Sequence, residues 1–494
     1  MINGQVNIFQ RIIGNIQKNY QNSDIARNEE IRNLGSDSVF SSRRYLVYLA
    51  AIGAAVAVAG YPLKVTVDGY FYLSSARGIW TPQDSELYYW IREPAYPVFL
   101  KALHYFFGSS DVLLSVFQSF MMSGAIAVLL GSVVKPEKVY SKLLVVTFAS
   151  SCFFVGPFFG YSSFVLKQAM IVAFVALAAV IVRFAFVVKH SRTKVMLLAA
   201  LLAGAVIAPQ VSITLKYLYV WPAFVVPWVI FMRQQRLKFD GAFLLSLSNF
   251  RKLFVAKAII PLLLSLGTLA VIQFSESLWN QYKDKNASGS EYQDYGFDES
   301  SALSNRITNP KVLWDGIFSE IPILLMLAPT DNAGGVKENI FYTQIQADPA
   351  WLCGAYDGFV KEPYTTYGSW MEKSCRSREV QNLVRWLMPA GELFYQTVMI
   401  AAMLAPFVAL ALRRWAQAAV FGTGLWFALT YAFGNGFTID RYGLPIFPFG
   451  VAAIAFFASE TFTLGSKYFG RVRSQKRNNL GYTSEPYKMN QENV

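Results

Sequence analysis

The sequence predicts an all-α polytopic membrane protein: about ten transmembrane helices, with two long extracytoplasmic loops that contain interface helices. Three observations carry that expectation. Apolar residues make up 54% of the 494 positions and charged residues only 15%. Apolar runs of about 18 residues or more recur along the chain, and such a run crosses a bilayer as a helix, because a helix satisfies its own backbone where no water can. The 44 basic residues, against 31 acidic ones, gather in alternate connections between those runs.

Residues 1–43 are polar and mixed in charge. Ile8, Phe9, Ile12, Ile13 and Ile16 recur at helical spacing, which suits either a short amphipathic helix on the membrane surface or a frayed tail. No signal peptide precedes the first apolar run, so the first span is expected to serve as an uncleaved anchor. The membrane domain is expected over 44–464, with spans near 45–62, 112–134, 140–158, 164–187, 195–211, 217–232, 254–274, 390–412, 416–434 and 443–463. A basic tail follows at 465–494. The apolar stretch Tyr96–Phe107 is too short to span and runs into Gly108-Ser-Ser, so it reads as a helix lying at the interface.

With the N-terminus placed in the cytoplasm, the cytoplasmic connections receive Arg43-Arg44, Lys135, Lys138 and Lys142, Lys189, Arg192 and Lys194, Arg233, Arg236 and Lys238, and Arg413-Arg414. The short outer loops keep only Lys216 and Arg441. This is the positive-inside pattern, and it accounts for the net charge of +13 without nucleic-acid binding. An even number of spans also leaves both termini in the cytoplasm. The outer loops at 63–111 and 275–389 are long. Within the second, the apolar piece Gly316–Ala328 is interrupted by Pro322 and reads as a re-entrant or interface helix. Cys353 and Cys375 share that loop, either as free thiols or as a disulfide if the compartment is oxidising; Cys152 falls in an apolar run.

The residues with chemical potential gather outside the first span. Asp68 follows Lys64-Val-Thr-Val directly, with Tyr70, Tyr72, Arg77 and Trp80 close behind. Alone it reads more readily as a helix N-cap. Its company favours a base at the membrane boundary, where a charge costs little. Arg92-Glu93-Pro94-Ala95-Tyr96-Pro97 follows, two prolines fixing the backbone as the chain re-enters the interface. It is either a stiff connector with a local ion pair or part of the same cavity. Asp440-Arg441-Tyr442 opens the last span, and its guanidinium either binds a phosphate or snorkels. Lys167 and Lys216 offer the same pair of readings. The only histidines, His104 and His190, fall on opposite sides of the expected membrane, and no Cys/His cluster exists. Asp68, Asp84 and Glu86 leave room for a Mg or Mn site that nothing in their spacing demands, so no cofactor is expected. There is no Walker, Rossmann or serine-elbow pattern, which argues against nucleotide-driven chemistry. Asn286-Ala-Ser288 is a glycosylation sequon that has meaning only in a eukaryotic secretory setting.

The chain resembles the GT-C superfamily of integral-membrane glycosyltransferases over about 44–464. Three motifs carry the resemblance: Asp68-Gly-Tyr-Phe-Tyr72 after the first span, Arg92-Glu-Pro94-Ala-Tyr96-Pro97 entering an interface helix, and Arg441-Tyr442-Gly-Leu-Pro445 opening the last span. Gly69 stands where the mannosyl and aminoarabinosyl branches often carry a second acid, which counts against those substrates and against a two-acid metal site. The resemblance implies transfer of a sugar from a polyprenyl-phosphate donor to a glycan or lipid acceptor, such as an O-antigen of a bacterial envelope, on the outer face of an inner membrane. Asp68 would be the general base. Arg441, Arg92 and Lys167 would bind the donor phosphate. Tyr70, Tyr72, Trp80, Glu93 and Tyr442 would line the substrate site. A Cys353–Cys375 bridge would brace the long loop. An O-antigen polymerase or ligase is the neighbouring alternative, on Arg376, Arg378 and Arg385; a transporter or flippase is the alternative without covalent chemistry.

Overall fold

A computed structural model describes residues 51, 69, 72, 73, 76, 93–108, 111–134, 165, 167–188, 190–236, 247–286, 330, 331, 337, 338, 378–434 and 440–461. Their regular structure is helical except for one antiparallel pair, β1 (Thr330–Asp331) with β2 (Lys337–Glu338). In chain order the helices are α1 (Ala95–Phe107), α2 (Asp111–Val133), α3 (Gln168–Ala185), α4 (Ser191–Val211), α5 (Ile213–Arg236), α6 (Leu247–Asn286), α7 (Arg378–Ala411) and α8 (Trp415–Gly434). A 3₁₀ turn (Asp440–Ile446) then leads into α9 over 447–461.

Seven segments of these helices are long and apolar enough to cross a membrane: Leu113–Val133, Gln168–Ala185, Ser191–Val211, Thr214–Arg233, Ala258–Leu278, Leu393–Ala411 and Gly443–Thr461. Each coincides with a span expected from hydropathy. The expected span at 416–434 falls on α8, 20 residues without a charged side chain, which is not among those seven. The expected spans at 45–62 and 140–158 lie outside the described residues, apart from Ala51. The chain is a multi-pass membrane protein.

Side-chain contacts fix the direction of every long helix. Trp426 Nε1 donates to the Tyr217 carbonyl (2.9 Å) and Trp221 Nε1 to that of Ala419 (3.4 Å), so α5 and α8 run antiparallel. Ser275 of α6 bonds the Val206 carbonyl and Gln210 near the end of α4, while Lys216 at the start of α5 pairs with Glu276. Tyr395 stacks on Phe447, 4.7 Å between ring centroids, which sets α7 parallel to α9. Arg183 Nε donates to the Ser132 carbonyl at 2.9 Å, joining the ends of α2 and α3, so those two are also parallel. One end of the bundle, here the upper, therefore gathers the starts of α2, α3, α5, α7 and α9 and the ends of α4, α6 and α8.

The centre of the bundle is α3. It packs against α2, α4, α5, α8 and the 3₁₀ turn, and 72% of it is buried, against 28% of the apolar window of α6. Its sequence suits that place: Ala169, Ala176, Ala178, Ala179 and Ala185 let neighbours approach, and branched residues fill the gaps. On α6 the apolar residues Ile259, Ile260, Leu262, Leu263 and Leu266 point outward, as a helix facing lipid requires.

Pro209 lies inside α4, which runs on to Val211; the extended Ser212 (φ −166°, ψ 140°) ends it. Proline in the last turn removes one backbone bond near an end where bonds already run out, so the helix absorbs it. Pro222, Pro227 and Pro261 likewise lie inside α5 and α6.

Candidate functional site at the upper end of the bundle

The site is built from the short stretch before α1 upward. Pro94 precedes the first turn of α1 and Gly108, at φ 72°, follows its last. That glycine adopts the left-handed backbone that side chains disfavour, and it sends its N–H back to the His104 carbonyl at 2.9 Å. With 13 residues, α1 is about 20 Å long, short of the ~30 Å hydrocarbon core. Its two ends meet the same turn of α2: Tyr96 bonds Gln118, and Phe107 packs on Phe117 with 5.8 Å between centroids. It therefore crosses the upper end instead of running beside α2. Val98, Tyr105, Phe106 and Phe107 are exposed along it.

Tyr96 anchors this arrangement. It is fully buried, gives its hydroxyl proton to Gln118 Oε1 at 2.7 Å, and meets the ring edge of Tyr72 at a centroid distance of 5.0 Å and an angle of 85°. Such an edge-to-face pair sets positive ring edge on negative ring face. Gly69, Tyr72, Leu73 and Ala76 are helical and buried, and their spacing in the sequence is that of one helix face. Tyr72 thus stands in packed interior as the contact between the first two motifs.

Glu93, just ahead of α1, faces Lys167 at the start of α3. The ammonium lies 2.6 and 2.7 Å from the two carboxylate oxygens, and the side chains are 15% and 21% exposed. Charge-assisted bonds of this length, partly withdrawn from water, are stronger than neutral ones. Glu93 also supplies a negative charge to a helix whose own first turn holds no acid. The Glu93–Lys167 pair reaches across 74 residues; Arg92, the other member of the motif, lies outside the described residues. Beside Lys167, Gln168 is buried and its carboxamide oxygen has no hydrogen-bond partner; Ser115 Oγ in the first turns of α2 is in the same condition.

The third motif also packs against α3. Arg441 and Tyr442 belong to the 3₁₀ turn, which packs on α3 and α8, and Leu444, Ile446 and Phe447 bury it. The side chains of Arg441 and Tyr442 lie outside the described part. So do Asp68, Tyr70, Trp80, Arg92, the acids Asp84 and Glu86, and the cysteines Cys353 and Cys375. Among the described residues no group of three His, Cys, Asp or Glu could hold a metal ion.

The lower end has a different character. Arg183 bonds the Ser132 carbonyl, Arg233 bonds those of Phe186 and Val188, and Arg414 grips both carboxylate oxygens of Glu460 at 3.1 and 3.2 Å. His190, Arg192, Lys194 and Arg413 share that end. Arg183 and Arg233 here bond backbone carbonyls at helix ends, while Arg414, like Lys167 and Lys216 at the upper end, is matched to a carboxylate. No family model, no curated protein and no solved structure matches this chain.

Proposed function

We propose that the protein is a GT-C-type glycosyltransferase that moves a sugar from a polyprenyl-phosphate donor to a hydroxyl of a cell-surface glycan or lipid. One observation carries the reading most: the three sequence motifs that suggest it meet at one end of one bundle. Tyr72 of the first motif touches Tyr96 of the second, Glu93 of the second is tied to the head of α3, and the turn holding Arg441 rests on α3.

In this reading Asp68 accepts the proton of the acceptor hydroxyl. The acceptor oxygen forms its bond to the anomeric carbon from the side opposite the phosphate. The bond from that carbon to the phosphate oxygen breaks, and polyprenyl phosphate leaves with the electron pair. The configuration inverts. Arg441 and Arg92 are assigned to the charge that grows on the leaving phosphate, where a fixed cation lowers the barrier. Tyr70, Trp80 and Tyr442 are assigned to the sugar and the isoprenoid chain. The upper end is taken as extracytoplasmic, because basic residues crowd the lower one. The parallel course of α2 and α3 agrees with one crossing between them, as a ten-span chain needs.

The deciding experiment compares wild type with Asp68→Asn, following transfer from polyprenyl-phosphate sugars to candidate envelope acceptors. The expected outcome is a fall in turnover of about 10²–10⁴-fold, the usual contribution of a general base, with donor binding retained. Unchanged turnover in the variant rejects Asp68 as the base.

A further inference from the structure

Helix α6 is held to the bundle mainly at its upper end. Within its apolar window, Ala258–Leu278, the buried residues are Pro261, Ser265, Thr268, Ile272 and Ser275, at steps of four and three. They make one narrow helix face, on which Ile272 is the one long apolar side chain. That face packs on α4 and α5. In lipid no hydrophobic force holds it there, because bilayer chains are as apolar as the helices. Polar contacts carry the attachment instead. Among the described residues of α6, every hydrogen bond to another helix is made at Ser275 or Glu276. Gln210 of α4 donates to the Ser275 hydroxyl and carbonyl at 3.1 and 3.2 Å, and Ser275 donates to the Val206 carbonyl at 2.8 Å. Glu276 pairs with Lys216 of α5, whose ammonium also lies 5.1 Å from the ring centroid of Tyr217. Lower down, Ser265 is fully buried and its hydroxyl has no hydrogen-bond partner. The wall behind is tighter. Tyr219 of α5 lies so close to Gly204 of α4 that a Cβ atom would overlap its ring, while Gly267 of α6 has open space.

We propose that α6 is a hinged side gate to the bilayer: its upper part swings away from α4 and α5 about Pro261 when the contacts at Ser275 and Glu276 part, and the hydrocarbon chain of a lipid enters the gap. Pro261 sits near the lower end of the apolar window and removes the backbone bond that would stiffen the helix there. From Pro261 to Glu276 the helix rises about 22 Å, so a change of about 20° in the kink carries its head sideways by about 8 Å. Packed helix axes stand about 8–10 Å apart, so a shift of that size opens a seam of molecular width. The outward face needs no change, since Ile260, Leu263, Leu266 and Phe274 suit lipid in either position. Opening costs Ser265 no hydrogen bond, because it has none to lose. The ion pair sets the balance: two partly buried charges favour the closed position as long as each compensates the other. The movement stands apart from the transferase reading and uses none of the residues assigned there.

The test uses the full-length protein in lipid nanodiscs, with Cys152, Cys353 and Cys375 replaced by serine. Spin labels on Ile207→Cys and Leu278→Cys report the head of α6, and labels on Met196→Cys and Ile259→Cys report its foot below Pro261; all four positions are exposed. Distances between the paired labels are expected to show two populations at the head, up to about 8 Å apart, and one at the foot. Glu276→Lys sets two cations side by side and is expected to raise the open population about three- to tenfold; adding Lys216→Glu restores the wild-type distribution. Pro261→Ala is expected to remove the second population. A lipid with a diazirine at mid-chain reads entry. Its photolabelling of Ile272 rises with the open population, while Val175 in the centre of α3 stays unlabelled. A single head distance in both wild type and Glu276→Lys overturns the proposal. So does an equal change at head and foot, which makes α6 a rigid body, or an open population that survives Pro261→Ala. An open population that the reversed ion pair does not reduce overturns the part given to Lys216 and Glu276. Labelling confined to outward residues such as Leu263 and Leu266 in every variant means that no lipid chain enters, and overturns the gate.

Discussion

Gly450 of α9 faces the backbone carbonyl of Val398 in α7 so closely that a Cβ atom would overlap it. Gly267 of α6 has open space at the same position. The two glycines predict opposite outcomes. Gly450→Ala forces two helices apart at a backbone contact that no rotamer relieves, and is expected to destabilise by about 1–3 kcal/mol or more. Gly267→Ala meets nothing and gains helix propensity, about 0.5–1 kcal/mol. Thermal unfolding of both variants in one detergent checks the pair; a Gly450→Ala protein as stable as wild type would mean that α7 and α9 are not in backbone contact. Neither glycine announces its role in the sequence, because each is one small residue in an apolar run. The Lys167–Glu93 pair was equally illegible: both residues were visible as candidates, but nothing in a chain of alternating helices says which turn of α3 meets a segment 74 residues earlier. Tyr96 was legible, since an aromatic between two prolines has a fixed backbone and a side chain that must go somewhere.

At the scale of elements, hydropathy located the helices well because a bilayer leaves few alternatives for a long apolar run. It located their ends less well, since ends are decided by single residues. The α7–α8 hairpin was located to within a residue, since α7 ends at Ala411 and α8 begins at Trp415, but the backbone of its turn was not legible. Arg413 closes α7 in the left-handed conformation, φ 58°, with its N–H bonded to the Leu410 carbonyl and that of Arg414 bonded to Ala409. A glycine is the residue usually found there, and an L side chain costs about 1–2 kcal/mol in that region. The charge pattern supplies a reason for arginine: the hairpin lies at the basic lower end, where a cation beside the last carbonyls of α7 is favourable. Arg413→Gly is therefore expected to raise stability by up to about 1 kcal/mol, and Arg413→Val, branched at Cβ, to lower it by at least as much. Denaturation of the two variants reads the difference directly. A loss of stability in the glycine variant would mean that the arginine charge outweighs the backbone cost.

For the whole molecule, the feature that decides function is its polarity across the membrane. The contact-derived directions make a statement that hydropathy alone could not: α2 and α3 are parallel, α5 opposes α8, and the motif-bearing segments share one end. The positive-inside pattern proposes the side, with the end that holds Arg192, Lys194, Arg413 and Arg414 expected in the cytoplasm. The combination is testable without substrate. In a protein with Cys152, Cys353 and Cys375 replaced by serine, single cysteines at His104 and Thr193, both exposed, report the upper and lower ends. A membrane-impermeant maleimide applied to intact cells is expected to modify the His104→Cys protein, and to reach Thr193→Cys only after permeabilisation. Labelling of both from one side would contradict the helix directions themselves. The reverse pattern would keep the bundle and turn it over, placing Glu93, Lys167 and the Arg441 turn in the cytoplasm. A donor whose sugar is presented on the outer leaflet would then be unreachable, and Asp68 would have to be sought in a reaction fed from the cytoplasmic side.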